Sequence, residues 1–170
     1  MTDSLHVRPA LISDAAGIAA VHIQSWRETY TAQLPGATLA ALDESEFAAR
    51  WAGNLSGGAS SVWVALIGPT VIGWASSSTG RDSDRPHPLE LEGIYVVASH
   101  HGTGAGQQLM DAAIGRHNAY LWMAVGNERA LAFYRRNGFA PDGALSTKEL
   151  RGTPVEVMRL VRPLASAHVT

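Results

Sequence analysis

The chain has 170 residues, 46% hydrophobic and 16% charged, which is enough apolar material for one ordinary core and argues against disorder. Thirteen basic residues against 15 acidic give a net charge of -2, with no basic patch of the kind nucleic-acid partners need; Lys148 is the one lysine among them. The absence of cysteine excludes disulfide scaffolds, thiolate zinc sites and a cysteine nucleophile.

The opening MTDSLHVRPA lacks a basic stretch followed by an apolar run, so it does not read as a signal peptide. No apolar run approaches the ~18–20 residues of a membrane span. The expectation is a soluble, cytoplasmic protein with no membrane and no nucleic-acid partner.

In chain order, Leu5–Ala10 alternates and predicts a first strand. Ser13 or Asp14 then caps a helix over about 14–31, with Ile18, Val21, His22, Ser25 and Trp26 at helical spacing. Leu34-Pro35-Gly36 ends it. A second helix follows at about 43–55, capped by Asp43 or Ser45 and marked by Phe47, Arg50 and Trp51. Gly57-Gly58 is a turn.

Ser61–Ile67 (SVWVALI) and Thr70–Ser78 (TVIGWASSS) predict paired strands across Gly68-Pro69. The polar stretch Gly80–Pro88 reads as a loop, because strands flank it. Leu89–Val97 (LELEGIYVV) predicts a strand whose first half puts Glu90 and Glu92 on one face. Its second half is apolar on both faces, as in a sheet centre. A helix at about 104–118, a strand at Tyr120–Val125 and a helix at about 128–137, capped by Asn127 and closed by Gly138, come next. Strands near 139–146 and 154–161 finish the chain.

This order predicts an α/β (α+β) fold. Its sheet is mixed and mostly antiparallel, of about six or seven strands flanked by about four helices. One domain is expected over residues 1–164, with a tail at 165–170.

The segment from Tyr95 to Gly106 carries the chemistry. A buried strand runs into a glycine-rich turn that opens a helix, which lets backbone amides approach an anion closely. A diphosphate is the natural guest. The dinucleotide fingerprint fails, since Gly102, Gly104 and Gly106 give G-x-G-x-G. The Walker A loop fails too, since Gly106-Gln107-Gln108 lacks its Lys, and this disfavours a nucleotide-dependent kinase. From the residues alone, the alternative to an anion cradle is a purely structural glycine turn.

Along most of its length the chain resembles the GNAT superfamily of N-acetyltransferases. Glu90–Gly106 (ELEGIYVVASHHGTGAG) looks like its signature strand, loop and helix. Asn127–Phe139 (NERALAFYRRNGF) is similar to its second signature. Trp26–Tyr30 followed by Leu34-Pro35 is similar to the first-helix pattern of one branch. His101 departs from the pattern, standing where the family usually has Gln or Arg.

The resemblance implies a domain that binds acetyl-CoA, without metal, and acetylates a primary amine directly within a ternary complex. The other reading is a catalytically silent acyl-CoA-binding or regulatory domain on the same fold. His101, Gly102, Thr103, Gly104, Ala105, Gly106 and Gln107 would hold the pyrophosphate, and Asn127 would face the coenzyme. The backbone of Ile94, Tyr95 and Val96 would pair with the pantetheine arm. A partly buried Glu90 or Glu92 can have a raised pKa and act as base, with Glu90 favoured by the resemblance; the alternative is that both are solvated or ion-paired, as with Arg81 or Arg85. Tyr134 is the candidate acid for the leaving thiolate, since an ordinary phenol pKa of about 10 suits that donation, or else a core ring. Trp26, Tyr30 and Trp51 are either an aromatic wall for a cationic amine or a core stripe. His22 reads as a core or rim residue. The acceptor is a small-molecule amine or a peptide N-terminus, and a homodimer is common in the family.

Overall fold

The computed structural model describes residues 4–163; the expected tail at 165–170 lies outside them. Seven strands are hydrogen-bonded in the order β1-β2-β3-β4-β5-β7-β6, and five α-helices accompany them among the described residues. The chain divides into two compact units. One lies within Met1–Ser78 and Leu91–Gly115, the other within Thr79–Glu90 and Arg116–Thr170.

The first unit begins with β1 (Leu5–Pro9), antiparallel to β2 (Ser61–Ile67) in the register Leu5↔Ile67 to Pro9↔Trp63. Strand β2 pairs with β3 (Thr70–Thr79) around Gly68, whose positive φ of 56° suits the predicted tight turn. Helix α1 (Ala15–Thr29) buries Ile18, Ala19, Val21 and Ile23. Asp14 precedes it but does not cap it through its side chain. Its carboxylate is instead held by both Arg8 guanidinium nitrogens, at 2.7 and 2.9 Å, and by the Leu11 amide. An ion pair thus displaced the expected cap.

A short helix α2 (Gly36–Ala40) follows Pro35 and makes five helices where about four were expected. Its single turn is too brief for an apolar period to register. Helix α3 (Glu44–Gly57) is capped by Asp43, which accepts from the Glu46 amide at 2.8 Å, and it buries Phe47 and Trp51 one turn apart. Strand β4 (Leu89–Val96) leads through a 3-10 turn, Ala98–His100, to α4 (Ala105–Ile114). That helix ends four residues before the expected 118, at Gly115, whose φ of 51° few side chains tolerate. The second half of β4, expected to be buried on both faces, is half-buried from Gly93 to Val96.

In the second unit, β5 (Ala119–Ala124) meets the start of β4 through a parallel bridge, Glu90↔Tyr120. Helix α5 (Glu128–Arg136) ends at Asn137, with Gly138 left-handed just beyond. Strands β6 (Ala140–Leu150) and β7 (Thr153–Arg162) form a longer hairpin than predicted, closed by Arg151 and Gly152, both at positive φ. No described helix is long and apolar enough to cross a membrane.

Candidate functional site

The glycine-rich segment forms an open cradle in the first unit. Strand β4 ends where the Val97 amide donates to the Ile72 carbonyl at 3.0 Å. Gly102 and Gly104 follow with φ of 77° and 90°. A Cβ at either position would meet nothing within 4 Å, so backbone conformation and not crowding requires glycine there. Gly104 caps α4, and the buried Ala105, Leu109, Met110 and Ile114 fix the helix against its unit. The amides of Ala105 and Gly106 open the helix and have no carbonyl one turn back. Positive dipole end, free donors and open space coincide, which fits the diphosphate of a coenzyme.

Side chains brace this cradle from behind. Thr103 Oγ1 donates to the His100 carbonyl at 2.7 Å. His101 Nε2 lies 2.7 Å from the Val96 carbonyl, so Nε2 carries the proton there. The residue that stands in place of the family's Gln or Arg therefore turns back onto its own strand. Gln107 Nε2 donates to Asp111 at 2.9 Å.

The two glutamates of β4 meet different surroundings. Glu90, 2% exposed, belongs to the second unit. Its carboxylate accepts from Arg81 Nη2 at 2.6 Å, Arg81 Nε at 3.1 Å, the Arg81 amide at 3.1 Å and the Tyr120 hydroxyl at 3.2 Å. Burial pushes this carboxyl up, but the Arg81 contacts and the Tyr120 hydroxyl outweigh it and leave the pKa below the ordinary value. The raised pKa expected of a base is thus corrected for Glu90: Arg81, one of the partners weighed from sequence, neutralises it. Glu92 belongs to the first unit, is half-buried, and accepts from the Ser76 hydroxyl at 2.6 Å.

Ile94, Tyr95 and Val96 are half-buried on the same strand. Tyr95 joins a cluster of rings whose centre is His22. The His22 ring lies 5.2 Å from Trp26, 5.0 Å from Phe47, 5.8 Å from Trp51, 5.1 Å from Trp74 and 5.7 Å from Tyr95. Trp51 Nε1 donates to His22 Nδ1 at 3.1 Å, which makes Nδ1 the acceptor nitrogen. Trp51 is buried and packs at 4.6 Å on Trp74. Trp26 and Tyr30 stay half-buried, and the Tyr30 and Tyr95 hydroxyls meet at 3.1 Å. Burial raises the Tyr30 pKa, although its bond with Tyr95 opposes this. The indole N–H groups of Trp26 and Trp74 are buried without a hydrogen-bond partner among the described residues. Of the three predicted acceptor aromatics, Trp51 is a core ring here, while Trp26 and Tyr30 keep an exposed part.

In the second unit, Asn127 caps α5, its Oδ1 accepting from the Ala130 amide at 3.1 Å. Tyr134 is 8% exposed, edge-on to Phe133 at 5.6 Å and Phe139 at 6.0 Å. No group of three or more metal-ligating side chains occurs among the described residues.

Ser76 and Trp74 were missed from the sequence. The signal lay in Thr70–Ser78, where two-residue alternation puts both side chains on one face of β3. The Tyr120 hydroxyl beneath Glu90 had no signal, because its partner lies 30 residues away.

The acetyltransferase (GNAT) family model matches residues 23–139, more than half of the chain. A probable N-acetyltransferase of Mycobacterium tuberculosis is 28% identical over 158 residues, covering 89% of this chain and 90% of the relative. A GCN5-related N-acetyltransferase structure from Rhodopseudomonas palustris has a TM-score of 0.69 at 24% identity, covering 96% of this chain and 98% of that one. YncA from Salmonella typhimurium, solved with its cofactor acetyl-CoA, has a TM-score of 0.65 at 21% identity and covers 97% of this chain and 96% of that one. With its cradle, its strand order and its matched length, the chain belongs to the GNAT acetyltransferase family.

Proposed function

We propose that the chain moves an acetyl group from acetyl-CoA directly to a primary amine, in a ternary complex. The observation that carries this reading is the open cradle of Gly102 and Gly104 at the α4 N-terminus, directly after the strand that bears Glu92. The bound coenzyme supplies an activated thioester. The amides of Gly102 to Gln107 hold its diphosphate, and the backbone of Ile94, Tyr95 and Val96 aligns its pantetheine arm and polarises the carbonyl. Asn127, by its match to the family's second signature, faces the coenzyme.

Glu92 is the base in this reading. It is half-buried, lies on the strand that leads to the cradle and accepts from the Ser76 hydroxyl. It takes a proton from the acceptor ammonium, directly or through water. The free amine then forms the C–N bond, the C–S bond breaks, and Tyr134 gives its phenolic proton to the departing thiolate. Glu90 orients the start of β4 through Arg81 and Tyr120. Trp26 and Tyr30, backed by Trp51 and His22, offer an aromatic surface to the acceptor, a small-molecule amine or a peptide N-terminus. The protein works in the cytoplasm, alone or as a homodimer.

The test combines calorimetric binding of acetyl-CoA with release of free coenzyme A against a panel of amines. Binding with turnover is expected. Saturable binding with no turnover on any amine would leave a silent acyl-CoA-binding domain, and absence of binding would remove the reading altogether.

A further inference from the structure

One contact ties the end of α1 to the turn that carries the cradle. Glu28 Oε2 accepts a hydrogen bond from the Ala98 amide at 2.9 Å. Ala98 opens the 3-10 turn between β4 and the glycines, so its amide has no acceptor within that turn. The other oxygen of the same carboxylate is fixed from one helical turn back, where Gln24 Nε2 donates to Glu28 Oε1 at 2.9 Å. A second tether, between the Tyr30 and Tyr95 hydroxyls, joins the same end of α1 to β4 at 3.1 Å.

A carboxylate here is electrostatically adverse for a loop that receives a diphosphate, so its charge does not explain its place. Its geometry does. The stretch from Val97 to Gly104 contains two glycines at positive φ and is otherwise held by the Val97 bond to Ile72, by bonds within the turn and by the His101 and Thr103 side chains. Glu28 adds a side-chain bond from α1, next to the backbone bond that ties the Val97 amide to Ile72 on β3. It also occupies the Ala98 amide, which keeps that donor away from the ligand. We infer that Glu28 is a positioning residue, holding the Ala98 turn so that the cradle amides are aimed before the coenzyme arrives. The inference rests on the coenzyme reading given above.

Two variants separate geometry from charge. Glu28→Gln keeps an acceptor oxygen for Ala98 and removes the charge; Glu28→Ala removes both. In calorimetry with coenzyme A, Glu28→Ala is expected to bind roughly tenfold more weakly, the scale of one lost backbone anchor, while Glu28→Gln binds as tightly as the parent or tighter. Steady-state kinetics should show the KM for acetyl-CoA rising in Glu28→Ala, with kcat at saturation largely kept. Amide hydrogen exchange should quicken at Ala98 and through the cradle in Glu28→Ala and not in Glu28→Gln, with thermal unfolding showing both variants folded. Parent-like or tighter binding by Glu28→Ala overturns the inference, as does Glu28→Gln binding as weakly as Glu28→Ala. If the parent protein itself fails to bind coenzyme A, the functional reading fails, and the two failures are thereby distinct.

Discussion

Glu90 and Glu92 stand two residues apart, and the side chains that donate to them differ. Glu92 faces a neutral hydroxyl donor on Ser76, while Glu90 is saturated by Arg81 and Tyr120. Glu92→Gln should therefore lower kcat/KM by about a hundredfold or more, the usual worth of a general base. The deficit should be greatest at low pH and shrink as the pH nears the acceptor's own pKa, where free amine no longer needs a base. A pH–rate profile identical to the parent's removes Glu92 from this role. Tyr134→Phe should lower kcat with little change in the KM for acetyl-CoA; undiminished turnover would leave Tyr134 as a core ring beside Phe133 and Phe139. For Glu90 the expected signature is stability. Its folded pKa is depressed below the ordinary glutamate value of about 4.3, so its contribution is present above that value and is lost as the pH falls through the folded pKa. Glu90→Gln should cost about 1–3 kcal/mol at pH 7, less than a fully buried pair would, because the Arg81 side chain is 59% exposed. Urea midpoints for parent and variant should converge on acidification.

At the scale of elements, the loop between β3 and β4 is held at both ends by single residues. Gly80 donates its amide to the Pro88 carbonyl at 2.7 Å and sits against Tyr120, where a Cβ would fall 2.6 Å from the ring and hydroxyl. Only a residue without a side chain lets the loop lie down there. The middle of the loop is pinned by Arg159 on β7, which is 8% exposed and bonds Asp142 at 2.7 Å and Asp84 at 3.2 Å, with Asp82 at 3.7 Å. Asp82 in turn accepts from the Trp122 indole at 2.7 Å. Arg159→Met keeps most of the packing volume but leaves three carboxylates without their shared cation. It should cost about 2–4 kcal/mol, speed hydrogen exchange over residues 80–88 and change Trp122 fluorescence. Unaltered exchange in that loop would show that the Arg159 bonds do not hold it. Composition marked this stretch as a loop but concealed its order, because every anchor is distant in sequence.

For the whole molecule, what was legible followed from local pattern. Strands β2 and β3 and helix α3 lie within two residues of their expected bounds, since alternation, an Asp cap and paired glycines are local signals. The cradle was legible for the same reason. The division into two compact units was not, because it depends on long-range packing that cuts β4 between Glu90 and Leu91. Nor was the neutralised state of Glu90, which depends on Arg81 folding back nine residues. The cysteine-free composition makes a global prediction. Initial-rate plots with both substrates should intersect, and incubation with acetyl-CoA alone should leave no acetyl group on the protein by mass spectrometry; parallel plots would point to a covalent carrier. Lys148 extends this point to labelling chemistry. It is the only lysine in the chain, and its Nζ lies 5.6 Å from the Trp122 ring centroid. Amine-directed reagents therefore have one side-chain target, beside a natural fluorophore. A dye placed there would read the Trp122 environment by quenching, and background acetylation of the protein itself would be confined to one side chain and the terminus.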